Sequence, residues 1–116
     1  MEEINEEVEK SKVLYSKKGE ITDACILGYE VKTNGFHGGD AGHGSYLEIT
    51  FTNEASVAMD VAMPNTAGVY EVASIDSPES VTIKMRGDAE IRTTVIALRR
   101  MSEFLEKVLR PTGQWK

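Results

Sequence analysis

Residues 34–44 concentrate most of the side chains in this sequence that could do chemistry. The segment reads Asn-Gly-Phe-His-Gly-Gly-Asp-Ala-Gly-His-Gly and holds five of the ten glycines and both histidines. Glycine tolerates positive φ and lets other groups approach the main chain, so such a loop can turn successive N–H groups toward an anion. His37 and His43 can donate or stack on a base, and Asp40 can accept from a ribose hydroxyl. The segment fits a nucleotide cradle, although a plain glycine-rich surface loop explains the same composition.

The same loop also contains a possible metal-ligand set. His37, Asp40 and His43 are spaced three residues apart, and two imidazoles with one carboxylate occur at catalytic zinc and non-haem iron. A glycine-rich loop is a poor rigid scaffold for metal ligands, and the chain has no third histidine. We therefore expect no metal, and a metal-dependent hydrolase is kept as an alternative function.

Nucleophilic catalysis finds little support in the sequence. The Gly-Asp-Ala-Gly run at residues 39–42 is similar to the surroundings of a serine nucleophile, but Ala41 has no oxygen with which to attack. Ser45 and Cys25 could serve in principle, yet Cys25 lies in an apolar run and is expected to be a buried small side chain. No Gly-Lys-Ser/Thr ending of a phosphate-binding loop is present. We expect no catalytic residue, no cofactor and no enzymatic activity.

Charge is distributed unevenly along the chain. The net charge of −6 argues against a protein that coats duplex nucleic acid, because neutralising phosphates requires an excess of Lys and Arg. All of the arginines lie in the last 31 residues, at Arg86, Arg92, Arg99, Arg100 and Arg110. The planar guanidinium suits phosphate better than the lysine ammonium does. These arginines either complete an anion site or form a solvated helix face.

Length and composition predict one globular domain. The 116 residues are 41% hydrophobic and 28% charged, and no apolar run approaches the roughly 20 residues that span a bilayer. The acidic start is the reverse of a signal peptide, and Cys25 has no partner for an intramolecular disulfide. We expect a cytoplasmic protein with no membrane partner.

Hydrophobic alternation predicts an antiparallel sheet over residues 13–86, preceded by an acidic tail or frayed helix at residues 1–12. A turn is expected at residues 17–20, followed by one long strand over residues 21–33 in which Gly28 marks a bulge or a close approach. Apolar and polar side chains alternate strictly over residues 46–52, which is typical of a half-buried strand. Residues 53–55 are of types that favour a turn. Further strands are expected near residues 57–63, 69–75 and 81–85. The fold class is α+β, with a meander of about five strands.

Toward the C-terminus the spacing of apolar residues changes from every second residue to every third or fourth. This spacing predicts one C-terminal amphipathic helix over residues 88–110, continuous or broken near Ser102. Asp88 can cap it, and Pro111 with Gly113 can stop it. Its apolar positions recur every three or four residues, at Ile91, Val95, Leu98, Met101, Leu105 and Val108. A second stripe carries Arg92, Arg99, Glu103 and Arg110. We expect the helix to lie across the sheet. We also expect a homo-oligomer, in which the helix that completes the site belongs either to the same subunit or to its neighbour.

The sequence at residues 29–44 also carries a family resemblance. Tyr-Glu-Val-Lys-Thr-Asn-Gly-Phe-His-Gly-Gly-Asp-Ala-Gly-His-Gly, followed by a threonine-rich strand and a C-terminal helix, resembles small phage proteins that antagonise the Thoeris defence system, in particular the first described group of anti-Thoeris sponges. The resemblance implies an α+β fold, a dimer or higher oligomer, and action in the host cytoplasm. It implies that a cyclic ADP-ribose isomer is sequestered without cleavage, with cyclic oligonucleotides as further ligands of some members.

The binding residues are assigned from their chemistry. A pyrophosphate suits the Arg forks and backbone amides, ribose hydroxyls suit Asp40 or Asn34, and an adenine needs a stacking partner such as Tyr46 or Tyr70. The expected ligand-binding residues are Phe36, His37, Gly38, Gly39, Asp40, His43, Gly44, Arg86, Arg92, Arg99 and Arg110. The rival function is an acidic phage inhibitor that blocks a host defence protein directly, using its acidic N-terminal third to imitate nucleic acid charge.

Overall fold

The chain is an α+β protein, as its sequence predicts. The computed structural model describes residues 14–38, 44–64, 68 and 70–113. Its elements in chain order are β1 Tyr15–Thr22, β2 Ile26–Thr33, β3 Tyr46–Ala55, β4 Asp60–Pro64, β5 Tyr70–Ser74, β6 Ser80–Arg86 and α1 Asp88–Leu109, followed by a 3-10 turn at Arg110–Thr112. The acidic tail or frayed helix expected at residues 1–12 lies outside the described residues.

Four of these strands form one antiparallel sheet in the order β1-β2-β3-β6, and β4 pairs with β5 in a separate hairpin. The chain therefore does not run as one continuous meander, because β6 returns to pair with β3. The faultless alternation of β3 is confirmed, with Leu47, Ile49 and Phe51 paired to apolar residues of β6. The opposite face is polar, and there Thr50 and Thr82 share a 2.8 Å hydrogen bond.

The first hairpin differs from the sequence prediction. Residues 17–20 lie inside β1, so the turn expected there is wrong, and the chain reverses at residues 23–25 instead. Gly19 pairs with Tyr29, and a Cβ at Gly19 would collide with the Tyr29 ring. The close approach expected at Gly28 is confirmed, since a Cβ there would lie 2.6 Å from Glu54 Oε2. Both glycines make room for a neighbour's side chain within the sheet.

A buried amide connects the hairpin to the main sheet. Residues 53–55, expected as a turn, belong to β3, and the backbone turns at Ser56 with φ +60°. Asn53 is buried, and its Nδ2 donates to the carbonyls of Val57 and Ile75 at 2.7 Å each. Its Oδ1 accepts from Val57 N–H at 3.1 Å. One side chain thus satisfies three backbone groups on both flanks of the β4–β5 hairpin.

Helix α1 is continuous through Ser102 and ends where its sequence predicts. Gly113 takes the left-handed conformation with φ +84°, typical of a residue that follows a helix. The start differs, because Gly87 with φ +110° is the capping position and Asp88 is already helical. The prediction that Asp88 caps the helix is therefore wrong. Its carboxylate is used elsewhere, as described below.

The helix packs on the sheet near its first turns. Among the described residues, Leu47 and Ile91 are the apolar side chains with less than a tenth of their surface exposed, at 5% and 8%. From Val95 onward, the apolar side chains of α1 are 40–61% exposed. The radius of gyration is 16.8 Å, against about 13 Å for a compact chain of this length. The expectation that α1 lies across the sheet thus holds for its beginning, and no described residue buries the apolar side of its distal half.

We predict that Asn53→Ala lowers the free energy of unfolding by about 2 to 3 kcal/mol, because it removes three hydrogen bonds from partly buried backbone groups. Denaturant unfolding followed by circular dichroism measures this. Ser80→Ala, an exposed position in β6, is the control and should change stability by less than about 0.5 kcal/mol. Equal effects of the two substitutions would contradict the role of Asn53.

Candidate functional site

The two ends of the loop between β2 and β3 are joined by the side chain of Asn34. This amide is buried, donates from Nδ2 to the Gly44 carbonyl at 3.1 Å and accepts from Tyr46 N–H at 2.8 Å. Thr33 supports the same closure by donating from Oγ1 to the Tyr46 carbonyl at 2.7 Å. Asn34, which was a candidate for contacting a ribose, is therefore occupied within the protein.

A second connection attaches the loop to the start of α1. Ser45 is 1% exposed, and its hydroxyl donates to the Asp88 carboxylate while accepting from His37 N–H at 2.6 Å. The N–H of Gly38 donates to Asp88 Oδ1 at 3.2 Å. In the backbone, Ser45 N–H donates to the Gly38 carbonyl at 3.1 Å and Gly87 N–H donates to the Ser45 carbonyl at 2.8 Å. The loop, the first residue before β3 and the helix start form one hydrogen-bonded unit, which we call the Ser45–Asp88 anchor.

The electrostatics of the Ser45–Asp88 anchor favour an ionised carboxylate. The Ser45 hydroxyl lowers the pKa of Asp88 below its ordinary value of 3.8, partly opposed by desolvation. The Gly38 N–H and the positive charge of Arg92 lower the pKa of Asp88 further. A carboxylate in the first turn of a helix is also stabilised by the helix dipole. At neutral pH, Asp88 thus accepts hydrogen bonds as an anion.

This anchoring leaves two side chains of the loop directed to solvent. Phe36 is 60% exposed and His37 is also exposed. The loop needs glycine at Gly35, because its φ is +86° and a Cβ would lie 3.2 Å from the Tyr15 ring. Gly38 likewise has a φ of +99°. An aromatic ring and an imidazole therefore stand on a backbone that is held at both ends.

Two of the four arginines expected in the site lie at this end of the molecule. Arg86 is the last residue of β6 and pairs with Tyr46, the first residue of β3. Arg92 lies one helical turn beyond Asp88, close enough to influence its pKa. Both arginines are exposed. The structure thus places Arg86 and Arg92 at the sheet end from which the loop projects.

The other two arginines lie away from the loop within one chain. From Asp88, Arg99 and Arg110 are about 17 Å and about 33 Å along the helix axis. Arg110 also lies 3.8 Å from Glu106, one turn before it. Within one chain, Arg99 and Arg110 therefore lie further along α1 from the Ser45–Asp88 anchor than Arg92 does.

Two described amides of the loop donate hydrogen bonds within the protein. The N–H groups of His37 and Gly38 are bonded to Ser45 and Asp88, so the free amide nest expected there is not formed at these two residues. The Gly44 carbonyl is bonded to Asn34. Gly39, Asp40 and His43 lie outside the described residues. Among the described residues of the loop, Phe36 and His37 have exposed side chains.

The sequence contains little that reveals the anchor. Ser45 was considered as a nucleophile and Asp88 as a helix cap, yet both position the loop. One signal was present, since Asn34 directly follows β2 and Ser45 directly precedes β3. Polar residues at strand ends beside a glycine-rich loop are well placed to bond its backbone.

The described residues form neither a metal-ligand cluster nor a membrane-spanning helix. No group of three or more His, Cys, Asp or Glu side chains there is arranged to hold a metal ion. Two of the three residues considered as metal ligands, Asp40 and His43, lie outside that part of the chain. No helix within it is both long and apolar enough to cross a membrane.

Comparison of the chain with protein-family models, curated proteins and solved structures finds no match.

We predict that Ser45→Ala lowers the free energy of unfolding by about 1 to 3 kcal/mol, because it removes the hydroxyl that joins His37 N–H to Asp88 in a buried position. It should also raise the hydrogen-exchange rates of the His37 and Gly38 amides. Thr93→Ala is the control, since its hydroxyl bonds within the exposed surface of α1. Unchanged exchange at both loop amides would contradict the anchor.

The lowered pKa of Asp88 predicts a pH dependence of stability. Because its pKa is lower in the folded than in the unfolded chain, the stabilisation is complete above about pH 5 and is lost as the pH falls through 3.8 and then through the lowered value. Thermal unfolding between pH 2.5 and 7 should therefore depend less on pH in Asp88→Asn than in the unsubstituted protein. Glu103→Gln, on the exposed part of the same helix, should keep the original pH profile. Identical profiles for all three would contradict the prediction.

Proposed function

We propose that this protein binds a cyclic ADP-ribose isomer and holds it without cleaving it, as a homo-oligomeric sponge acting in the host cytoplasm. The observation that carries the proposal is the Ser45–Asp88 anchor, which fixes a loop bearing exposed Phe36 and His37 beside the start of α1. A loop ordered before binding loses less conformational entropy when a ligand arrives. A small domain gains affinity in this way without a large pocket.

The exposed groups match the parts of such a ligand. An aromatic ring open to solvent provides a stacking surface for adenine, worth about 1 to 3 kcal/mol per base. The guanidinium groups of Arg86 and Arg92 can form charge-assisted hydrogen bonds to a pyrophosphate. In this proposal Phe36 and His37 receive the base, and the two arginines receive the phosphates.

The chemistry of the anchor supports binding over catalysis. A serine nucleophile needs an accessible oxygen and a base that removes its proton. The Ser45 hydroxyl is 1% exposed and donates to Asp88, whose lowered pKa makes it a weak base. A sponge needs no such nucleophile. The resemblance to anti-Thoeris sponges at residues 29–44 is the second support for the proposal.

Calorimetry with a cyclic ADP-ribose isomer tests the proposal directly. We expect saturable binding, followed by recovery of the intact ligand when the complex is heated and the supernatant is analysed by chromatography. Absence of binding for every isomer tried would overturn the ligand class. Recovery of a cleaved product would make this protein an enzyme.

We predict that Arg92→Ala weakens ligand binding by about 1.5 to 3 kcal/mol, because it removes a charge-assisted contact to phosphate. This corresponds to a rise in Kd of about tenfold to a hundredfold. Phe36→Ala should cost about 1 to 3 kcal/mol through lost stacking. Titration calorimetry measures both.

Matched controls separate these contacts from general effects. Arg100→Ala removes an exposed arginine two turns further along α1 and should leave Kd unchanged. Met63→Ala removes a side chain that is 66% exposed, close to the 60% of Phe36, on the separate hairpin. Equal losses in a variant and its control would contradict the assigned contact.

A further inference from the structure

Tyr15, the first residue of the edge strand β1, lies beside the start of the loop between β2 and β3. It pairs with Thr33, the last residue of β2, and Leu14 N–H donates to the Thr33 carbonyl at 3.3 Å. Thr33 Oγ1 in turn accepts from Gly35 N–H at 3.1 Å. The register of β1 on β2 therefore fixes where Tyr15 stands relative to Gly35.

The Tyr15 ring and the His37 imidazole lie close to the same point beside Gly35. A Cβ built at Gly35 would lie 3.2 Å from Tyr15 Cε2 and 4.0 Å from His37 Nε2. These two ring atoms are therefore no more than about 7 Å apart. A planar base makes van der Waals contact at about 3.5 Å from each of its faces, so rings at this separation can both contact one base. Glycine at position 35 leaves the space beside the two rings free of a side chain.

Both rings are accessible to a ligand. Tyr15 is 62% exposed, close to the 60% of Phe36, and His37 is exposed as well. A tyrosine side chain combines a large apolar ring with a hydroxyl that donates and accepts hydrogen bonds. A purine base likewise has flat apolar faces and a polar edge, so the two are complementary in shape and in polarity.

We propose that Tyr15 is a base-binding residue, and that its ring and the imidazole of His37 contact the same purine. This inference rests on the proposed function, in which the loop receives a base, and it adds a contact from a different strand. The position of Tyr15 is set by the pairing of β1 with β2, whereas the position of His37 is set by the Ser45–Asp88 anchor. Two separate parts of the fold thus form one site.

A site of this kind selects ligands by their base. Stacking on an aromatic side chain contributes only when the ligand carries a planar ring, whereas a phosphate contact is made by any ligand of the same charge. The site therefore favours a purine nucleotide over a sugar phosphate. A purely structural role of Tyr15, packing against Gly35, predicts instead that both kinds of ligand are affected equally.

NMR titrations with AMP and with ribose 5-phosphate test the assignment, since these two ligands share ribose and phosphate and differ in the base. AMP should bind the unsubstituted protein more tightly than ribose 5-phosphate does. Tyr15→Leu should raise the Kd for AMP at least about fivefold and leave the Kd for ribose 5-phosphate within about twofold of its original value. Tyr15→Phe keeps the aromatic ring and should keep the Kd for AMP within about twofold.

Ile21→Ala is the matched control. Ile21 is 57% exposed and lies on the same side of β1 as Tyr15, at the other end of the strand, so this substitution should leave both Kd values unchanged. An unchanged Kd for AMP in Tyr15→Leu would overturn the base contact. An equal rise in Kd for ribose 5-phosphate, or no binding of AMP at about 10 mM, would also overturn it.

The inference and the proposed function fail separately. If a cyclic ADP-ribose isomer binds and Tyr15→Leu leaves AMP binding unchanged, the contact made by Tyr15 is wrong and the proposed function stands. If AMP binding depends on Tyr15 and no cyclic isomer binds, the site for a base stands and the proposed ligand is wrong.

Discussion

The arrangement of the candidate site depends on the hydrogen bonds that the Asp88 carboxylate accepts from Ser45 and Gly38. They join the first turn of α1 to the loop after β2 and to the residue before β3, which lie 50 and 43 residues earlier in the chain. Because Asp88 stands in the first helical turn, the helix dipole and Arg92 both favour its ionised form. The negative charge thus holds the loop to the helix.

That carboxylate also constrains where a negatively charged ligand can lie. An anion placed directly at the start of α1 would be repelled by the Asp88 carboxylate. This carboxylate already accepts a hydrogen bond from the Gly38 N–H. The guanidinium groups of Arg86 and Arg92 and the ring of Phe36 project to solvent. In the proposed complex, a pyrophosphate is therefore assigned to the two arginines and not to the helix terminus.

Burial in this chain is unusual in its chemistry. The most buried described residues include the polar Asn34, Ser45 and Asn53 beside the apolar Leu47 and Ile91. Each polar side chain is bonded to backbone groups of another segment, which specifies geometry, whereas hydrogen bonds contribute modest net stability. Much of the apolar surface of α1 is exposed instead. The geometry of the loop thus depends on polar contacts more than on apolar burial.

Local patterns in the sequence determined which stretches from Tyr46 onward form strands, although not where β3 ends or β4 begins. They also determined the helix and its end at Gly113, because side-chain periodicity and glycine conformation act within a few residues. The separation of β4–β5 from the main sheet, the turn after β1 and the partners of Asn34, Ser45 and Asp88 were decided by tertiary structure. These depend on contacts between segments up to 50 residues apart, such as Gly38 with Asp88. The spacing of residues in the sequence does not show which polar groups form hydrogen bonds with each other across that distance. For the same reason, grouping the arginines along the chain could not show that Arg92 lies near the loop while Arg110 lies about 33 Å along the helix from Asp88.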